Sequence, residues 1–301
     1  MSRLSRSLND SGAVLGLSGP TGPVSSATSV DLSNAKDTRR VIADFDPSVI
    51  VHLAAQSSVG ASAADPAGVW RMNFDATRNV AESALSLDHR VSLIFPSTAE
   101  VYGRAFLEGP RTEDSGIAPQ SAYARSKAAA ELMLCDLACD SLNVVVMRLF
   151  NHTGPGQDTR FVAPSFAAQL AAFGEATDAA IHVGNLDACR DFTDIDDIID
   201  AYARVVANPN KGGGNFALYN VGSGVQRTIR SVLDALVERH GSPVETLLDP
   251  ERRRPSDIPV AEGVFDRFRD TYGWTATTPF ETTLAAIYDY ERLKLQAEHE
   301  N

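Results

Sequence analysis

Tyr123-Ala-Arg-Ser-Lys127 sets a phenol and an ammonium four residues apart, which on an α-helix puts one above the other on a single face. A cation so placed favours phenolate and would draw the tyrosine down from its ordinary value of about 10, making it a usable acid or base. The spacing is weak evidence by itself. With 7 tyrosines and 4 lysines in 301 residues chance supplies about 0.1 such pairs, yet a second one, Tyr290 and Lys294, is present. Context separates them. Tyr290 and Lys294 lie in a charged C-terminal stretch and read as a solvated surface pair. Tyr123 follows Phe95-Pro-Ser-Thr-Ala-Glu-Val-Tyr-Gly103, where an apolar run ends in the hydroxyl of Thr98 and the carboxyl of Glu100. Ligands of open α/β sheets gather beyond the carboxyl ends of the strands, so Thr98, Tyr123 and Lys127 form a candidate site for acid/base chemistry.

Such a site needs strands and helices in alternation. Val49–Ala54, Val91–Phe95 and Asn143–Phe150 are short, near-continuous apolar runs, as strands buried on both faces require. Helical patterns near 34–45, 66–87 and 121–140 separate them, and this β-α-β-α-β rhythm predicts a parallel, doubly wound sheet of Rossmann type. After Phe150 the rhythm changes. Asn151-His-Thr-Gly-Pro-Gly-Gln157 reads as a loop, and helices follow near 162–174, 194–207, 228–240 and 279–293. Residues 1–150, with about 182–222, are expected to form the doubly wound domain, and 151–181 and 223–301 a smaller, mostly helical one.

Charge and cysteine use exclude other classes. Lys plus Arg is 27 and Asp plus Glu is 39, a formal charge of −12, which repels polyanions and argues against nucleic acid or an anionic membrane as partner. The 3 cysteines lack metal-site spacing, and Cys135 and Cys139 read as small core residues on one helix face. Asp194, Asp196, Asp197 and Asp200 read as helix-start acids, so no metal site is expected. Neither a signal peptide nor a run of about 18 apolar residues is visible, so the default location is the cytoplasm.

His52-Leu-Ala-Ala-Gln56, Pro96-Ser-Thr-Ala-Glu-Val-Tyr-Gly103 and Tyr123-x-x-x-Lys127, in that order, resemble the extended short-chain dehydrogenase/reductases that modify nucleotide sugars. Arg148-Leu-Phe-Asn-His-Thr-Gly-Pro-Gly-Gln157, Val183-Gly-Asn-Leu-Asp-Ala-Cys-Arg-Asp-Phe-Thr-Asp194 and Arg254-Pro-Ser-Asp-Ile-Pro259 narrow the likeness to GDP-4-keto-6-deoxy-D-mannose reductases, with GDP-mannose 4,6-dehydratases second. The resemblance implies reduction of the C4 ketone of a GDP-linked 4-keto-6-deoxymannose to GDP-D-rhamnose with NADP(H), NAD being possible. Tyr123 would then donate the proton, Lys127 would tune it and hold the nicotinamide ribose, and Thr98 would bond the reacting oxygen. Glu100 matches the acid/base carboxylate of the dehydratases and keeps dehydration or epimerisation as an alternative. The resemblance further implies cofactor contacts at Asp31, Leu32, Leu53, Ala54, Ala55, Tyr123, Lys127 and His152. Substrate contacts fall at Ser58, Asn151, Val162, Arg190 and Arg254, the arginines clamping nucleotide or diphosphate. A homodimer through the helices near 66–87 and 121–140 is also implied.

The N-terminal region departs from the family. Gly16-Leu-Ser-Gly19-Pro-Thr-Gly22 satisfies the glycine pattern of a pyrophosphate-binding turn, but Pro20 and Pro23 deny a helix directly after it, and the interval to His52 is too short for two crossovers. The better fit takes Arg3–Leu8 as the remnant of a first helix, Ala13–Leu17 as the family's second strand and Thr28–Leu32 as its third. On that fit the first strand and its glycine turn are missing, and a non-catalytic nucleotide-sugar-binding relative becomes a further alternative. Gly16–Gly19 carries no acid for a ribose 2′-hydroxyl, which favours NADP over NAD, although no Arg stands there either.

Overall fold

In a computed structural model of the chain the described residues are 4, 15–18, 28–56, 65–174, 180–252 and 258–299. The first strands, β1 (Leu17–Ser18) and β2 (Thr28–Ser29), pair in parallel with Leu17 opposite Thr28. Helix α1 (Ala35–Phe45) follows, its first turn capped by the Asn34 side chain, which accepts from the N–H groups of Lys36 and Asp37. β3 (Val49–Val51) then leads to α2, which starts as Pro66–Trp70, passes through a π-turn at Arg71–Asp75 and continues as Ala76–Leu85. Next come β4 (Val91–Thr98), α3 (Ala122–Leu137) and β5 (Leu142–Leu149). All eight residues of β5 are buried, as a central strand with both faces covered requires.

Past β5 the chain forms β6 (Asn151–Thr153), α4 (Val162–Phe173), β7 (Ala180–Val183), β8 (Cys189–Asp194) and α5 (Ile195–Ala207). β9 (Phe216–Val221) returns to the main sheet, whose order is β3-β4-β5-β9, all parallel. The remaining elements are β10 (Gln226–Thr228), α6 (Ile229–His240), β11 (Glu245–Leu248), β12 (Val260–Ala261), α7 (Asp266–Tyr272) and α8 (Phe280–His299). β8 lies between β10 and β12 and also pairs with β6, while β7 pairs with β11. A second core fills the space between α4, α6 and α8, with Phe166, Leu170, Leu233, Leu236, Leu284 and Ile287 buried together.

Three expectations need correction. β3 stops at Val51 rather than Ala54, because its ladder ends where Val51 pairs Ile94, although the His52 N–H still reaches the Ile94 carbonyl at 3.0 Å. Cys135 and Cys139 are exposed: Cys135 lies on the outer face of α3, and Cys139 falls after that helix has ended at Leu137. β4 runs on to Thr98, since Pro96, Ser97 and Thr98 pair with Met147, Arg148 and Leu149. At the N-terminal side, the pairing of Leu17–Ser18 with Thr28–Ser29 agrees with assigning these segments as consecutive strands. Among the described residues no strand joins β1 to β3. The glycines Gly19 and Gly22 lie outside the described residues, as do residues 3–8 apart from Leu4, which is helical and shares a buried cluster with Ile94, Met147 and Ile198. No described helix is long and apolar enough to cross a membrane.

Candidate active site

β4 and α3 bring the candidate groups Thr98 and Tyr123 together. Thr98 ends the strand, 8% exposed, and its hydroxyl accepts the Glu100 N–H at 3.2 Å, starting the 3₁₀ turn Ala99–Val101. Ser121 caps α3 by accepting the Ala124 N–H at 3.0 Å, which fixes Tyr123 in the first turn of that helix. The Thr98 hydroxyl lies near enough to the Tyr123 phenol to draw it downward, and the negative charge of Glu100 acts on the same phenol. Desolvation pushes Tyr123 up to about 12; the Thr98 hydroxyl pulls it back and the charge of Glu100 pushes it further.

The acidified phenol expected from the Tyr-Lys spacing is therefore not found. Lys127, 2% exposed, turns inward: its Nζ donates to the Pro96 carbonyl at 2.7 Å and lies 4.4 Å from the centroid of the Phe95 ring. Burial brings Lys127 down to about 7, against the opposing pull of the Glu131 charge. At neutral pH Tyr123 is thus a protonated phenol, fitted to give a proton rather than take one.

The neighbouring candidates occupy the strand ends. Leu53, Ala54 and Ala55 follow β3, with Leu53 exposed, and the loop is tied down by Asn73. The Asn73 side chain accepts the Gln56 N–H at 2.8 Å and donates to the Gln56 carbonyl at 3.2 Å and the Ser126 hydroxyl at 3.1 Å, so the π-turn of α2 spans this loop and α3. Asp31 and Leu32 form the turn after β2, where Asp31 accepts from Ser33 and the Leu32 carbonyl accepts from Asn79. His152, within β6, has its Nδ1 3.3 Å from the Phe150 carbonyl and is held low by burial; Asn151 beside it is exposed. Val162 opens α4, and half-buried Arg190 donates to the carbonyls of Cys189 and Ile258 at 2.7 and 2.8 Å. Ser58 and Arg254 lie outside the described residues.

Residues 21–287 match the family model of GDP-mannose 4,6-dehydratase. The chain belongs to that family. A GDP-6-deoxy-D-mannose reductase of Pseudomonas aeruginosa is 32% identical over 244 residues, covering 80% of this chain and 79% of the relative. A UDP-glucose 4-epimerase of Mycolicibacterium smegmatis is 31% identical over 269 residues, 86% of this chain and 81% of its own. Among solved structures, RMD from Pseudomonas aeruginosa complexed with NADPH superposes with a TM-score of 0.82 at 27% identity, covering 97% of this chain and 96% of that one. An epimerase-like protein of Burkholderia cenocepacia gives a TM-score of 0.84 at 30% identity, covering 96% and 93%. Membership makes the chain an enzyme of the extended short-chain dehydrogenase type, with the Rossmann-like fold its sequence implied.

This dehydratase-family member also uses residues that sequence reasoning missed. Asp191, fully buried next to Arg190, accepts from the Ser223 N–H and hydroxyl at 2.8 and 2.9 Å and from the Gly224 N–H at 2.6 Å, fastening the turn after β9 to β8. Glu113 is buried and accepts the Asn220 N–H at 2.9 Å. Glu131 and Arg148 form a buried ion pair behind Lys127. The signal for this last pair was present: a glutamate one turn after Lys127 in an alanine-rich helix, and an arginine inside an apolar strand.

Proposed function

We propose that the chain reduces the C4 ketone of a GDP-linked 4-keto-6-deoxymannose, using NADPH. The observation that carries the reading is the Thr98–Tyr123 contact at the carboxyl end of β4, with a phenol that keeps its proton at working pH. The donor set fits such a cofactor and substrate. A hydroxyl and a phenol stand at one strand end, the Leu53–Ala55 loop with its exposed Leu53 stands at the next, and Tyr202 holds a buried hydroxyl without a hydrogen-bond partner, close enough that charge on Tyr123 would repel charge on it.

NADPH supplies the hydride when bound; Asp31, Leu32, Leu53, Ala54, Ala55 and His152 would hold it. Thr98 orients the ketone oxygen by a hydrogen bond. Tyr123 gives its proton to that oxygen as negative charge develops there, and the Thr98 hydroxyl, which draws Tyr123 downward, stabilises the phenolate left behind. Asn151, Val162 and Arg190, with Ser58 and Arg254, would receive the nucleotide sugar, the arginine giving a permanently charged contact to the diphosphate. The outer faces of α2 and α3 expose Trp70 and Leu132, which supports a homodimer through those helices. The test is NADPH consumption by the full chain with the GDP-linked keto sugar. Loss of NADPH absorbance with formation of the C4 alcohol, GDP-D-rhamnose, is expected, and no consumption overturns the reading.

A second reading rests on Glu100, whose negative charge acts on Tyr123 as that of a dehydratase base would. It expects GDP-mannose and NADP⁺ to yield the keto sugar. Absence of that product, alongside keto-sugar reduction, leaves the reductase alone.

A further inference from the structure

Tyr123, Lys127 and Glu131 stand on successive turns of α3, so a phenol, an ammonium and a carboxylate share one face of the helix. Three consecutive residues of β4 act on them in turn: Thr98 draws the phenol downward, the Pro96 carbonyl takes the ammonium, and the Ser97 hydroxyl donates to Glu131 Oε1. Glu131 is 4% exposed and is gripped from β5 as well, Arg148 donating through Nε at 3.1 Å to each oxygen and through Nη2 at 2.6 Å. Arg148 is itself held, its Nη1 donating at 2.9 Å to the Tyr102 hydroxyl, which donates at 2.7 Å to Asn220 Oδ1.

Packing gives little reason for this arrangement. Burying two charges costs several kcal/mol each, and an apolar pair of similar volume is commonly as stable or more so. Its location gives a better one. The fork of Arg148 leaves the carboxylate one permitted position, a single helical turn from Lys127.

We propose that Glu131 is a positioning residue for Lys127: clamped by Ser97 and Arg148, its carboxylate supplies the negative field that holds Lys127 as an ammonium beneath Tyr123. The proposal rests on the reading of Tyr123 and Lys127 as the reacting pair. Among the described residues, the other groups around Lys127 do not supply that field. His52, after β3, is neutral, driven down to about 3 by burial and by Lys127 itself. Arg148 of β5 is cationic and bound to Glu131, and β4 offers the Phe95 ring and the Pro96 carbonyl. α2 brings only the uncharged Asn73 and Thr77 against Ser126 and His52, and Tyr123 on α3 itself is protonated. Glu131 is the anion that opposes desolvation of the ammonium.

The experiment compares wild type, E131Q, E131D and K127M as full chains, denatured with urea between about pH 4 and 10. Subtracting K127M from wild type isolates the titration of Lys127. The unfolded chain binds that proton more tightly than the folded one, so stability climbs with pH above an onset set by the folded state. In E131Q the onset moves about one to two pH units lower, and E131D restores it. In keto-sugar turnover E131Q loses about tenfold or more in kcat near neutrality, while KM changes less than about twofold. An E131Q onset equal to that of wild type overturns the proposal, as does an E131D onset equal to that of E131Q. If E131Q does not fold, E131M/R148M takes its place: an onset below that of wild type is expected even though a cation is lost with the carboxylate, and an onset equal to or above that of wild type overturns the proposal. Wild-type chain without turnover would refute the assigned reaction and leave the onset to decide the role of Glu131.

Discussion

At the scale of single residues, the chemistry turns on which group holds a proton. On the proposed reduction, a tyrosine at about 12 enters the cycle protonated, so its replacement removes the donor. Tyr123→Phe should lower kcat by about 10²–10⁴ with NADPH affinity unchanged within about twofold, measured by steady-state rates and fluorescence titration; an unaltered kcat would clear Tyr123 of the role. Thr98→Val removes a hydroxyl that both draws Tyr123 downward and donates to the reacting oxygen. Its expected cost is about 10²–10³ in kcat, with the phenol titrating higher than in wild type by ultraviolet absorbance. The Tyr-Lys spacing misjudged how these two side chains act on each other. Four-residue spacing fixes where two Cα atoms lie, not where a long flexible side chain points, and the Pro96 carbonyl, which no local pattern reveals, captures the Lys127 ammonium instead.

Elements were legible where periodicity is long and apolar. The helical stretches expected near 66–87, 121–140 and 194–207 stand at α2, α3 and α5, because each buries a wide stripe against a sheet or a neighbouring helix. The polar end of β4 was not legible: Ser97 and Thr98 resemble loop residues, and only pairing with Arg148 and Leu149 makes them strand. β6, β7, β10 and β12, each four residues or fewer, are too short to carry a period, and their partners are distant in sequence. The π-turn in α2 was equally hidden, since its purpose is tertiary: it aims Asn73 at the loop beyond β3 and at Ser126. Asn73→Ala leaves a buried N–H of Gln56 and the Ser126 hydroxyl without that partner. It should destabilise the chain by about 1–3 kcal/mol in urea denaturation and weaken NADPH binding about tenfold as the loop loosens. Full affinity in a folded Asn73→Ala variant would show that the loop needs no such tie.

For the molecule as a whole, two buried cations-in-waiting shape stability against pH more than the net charge of −12 does. His52 is buried between Thr77 and Phe95, its Nε2 3.1 Å from the Thr77 hydroxyl, and is driven from 6.5 down to about 3. Between those values the unfolded chain binds a proton that the folded chain refuses, so the unfolded state gains as pH falls. The share of stability due to His52 is therefore complete above about pH 6.5 and is lost at about 1.4 kcal/mol per pH unit on the way down to about 3. Lys127, lowered from 10.5 to about 7, obeys the same sign in a higher window, where stability should rise with pH until the tyrosines titrate in the unfolded chain. Asp191, raised by burial, works the other way in acid, which makes a variant rather than the bare profile the deciding measurement. His52→Gln keeps a polar partner for Thr77 and cannot titrate. Urea midpoints followed from about pH 7 to 4 should fall less steeply in His52→Gln than in wild type, the gap closing by about 1 kcal/mol or more for each pH unit. Parallel slopes would mean that the imidazole is protonated inside the folded chain, and the pairing of a neutral ring with the Lys127 ammonium would have to be abandoned.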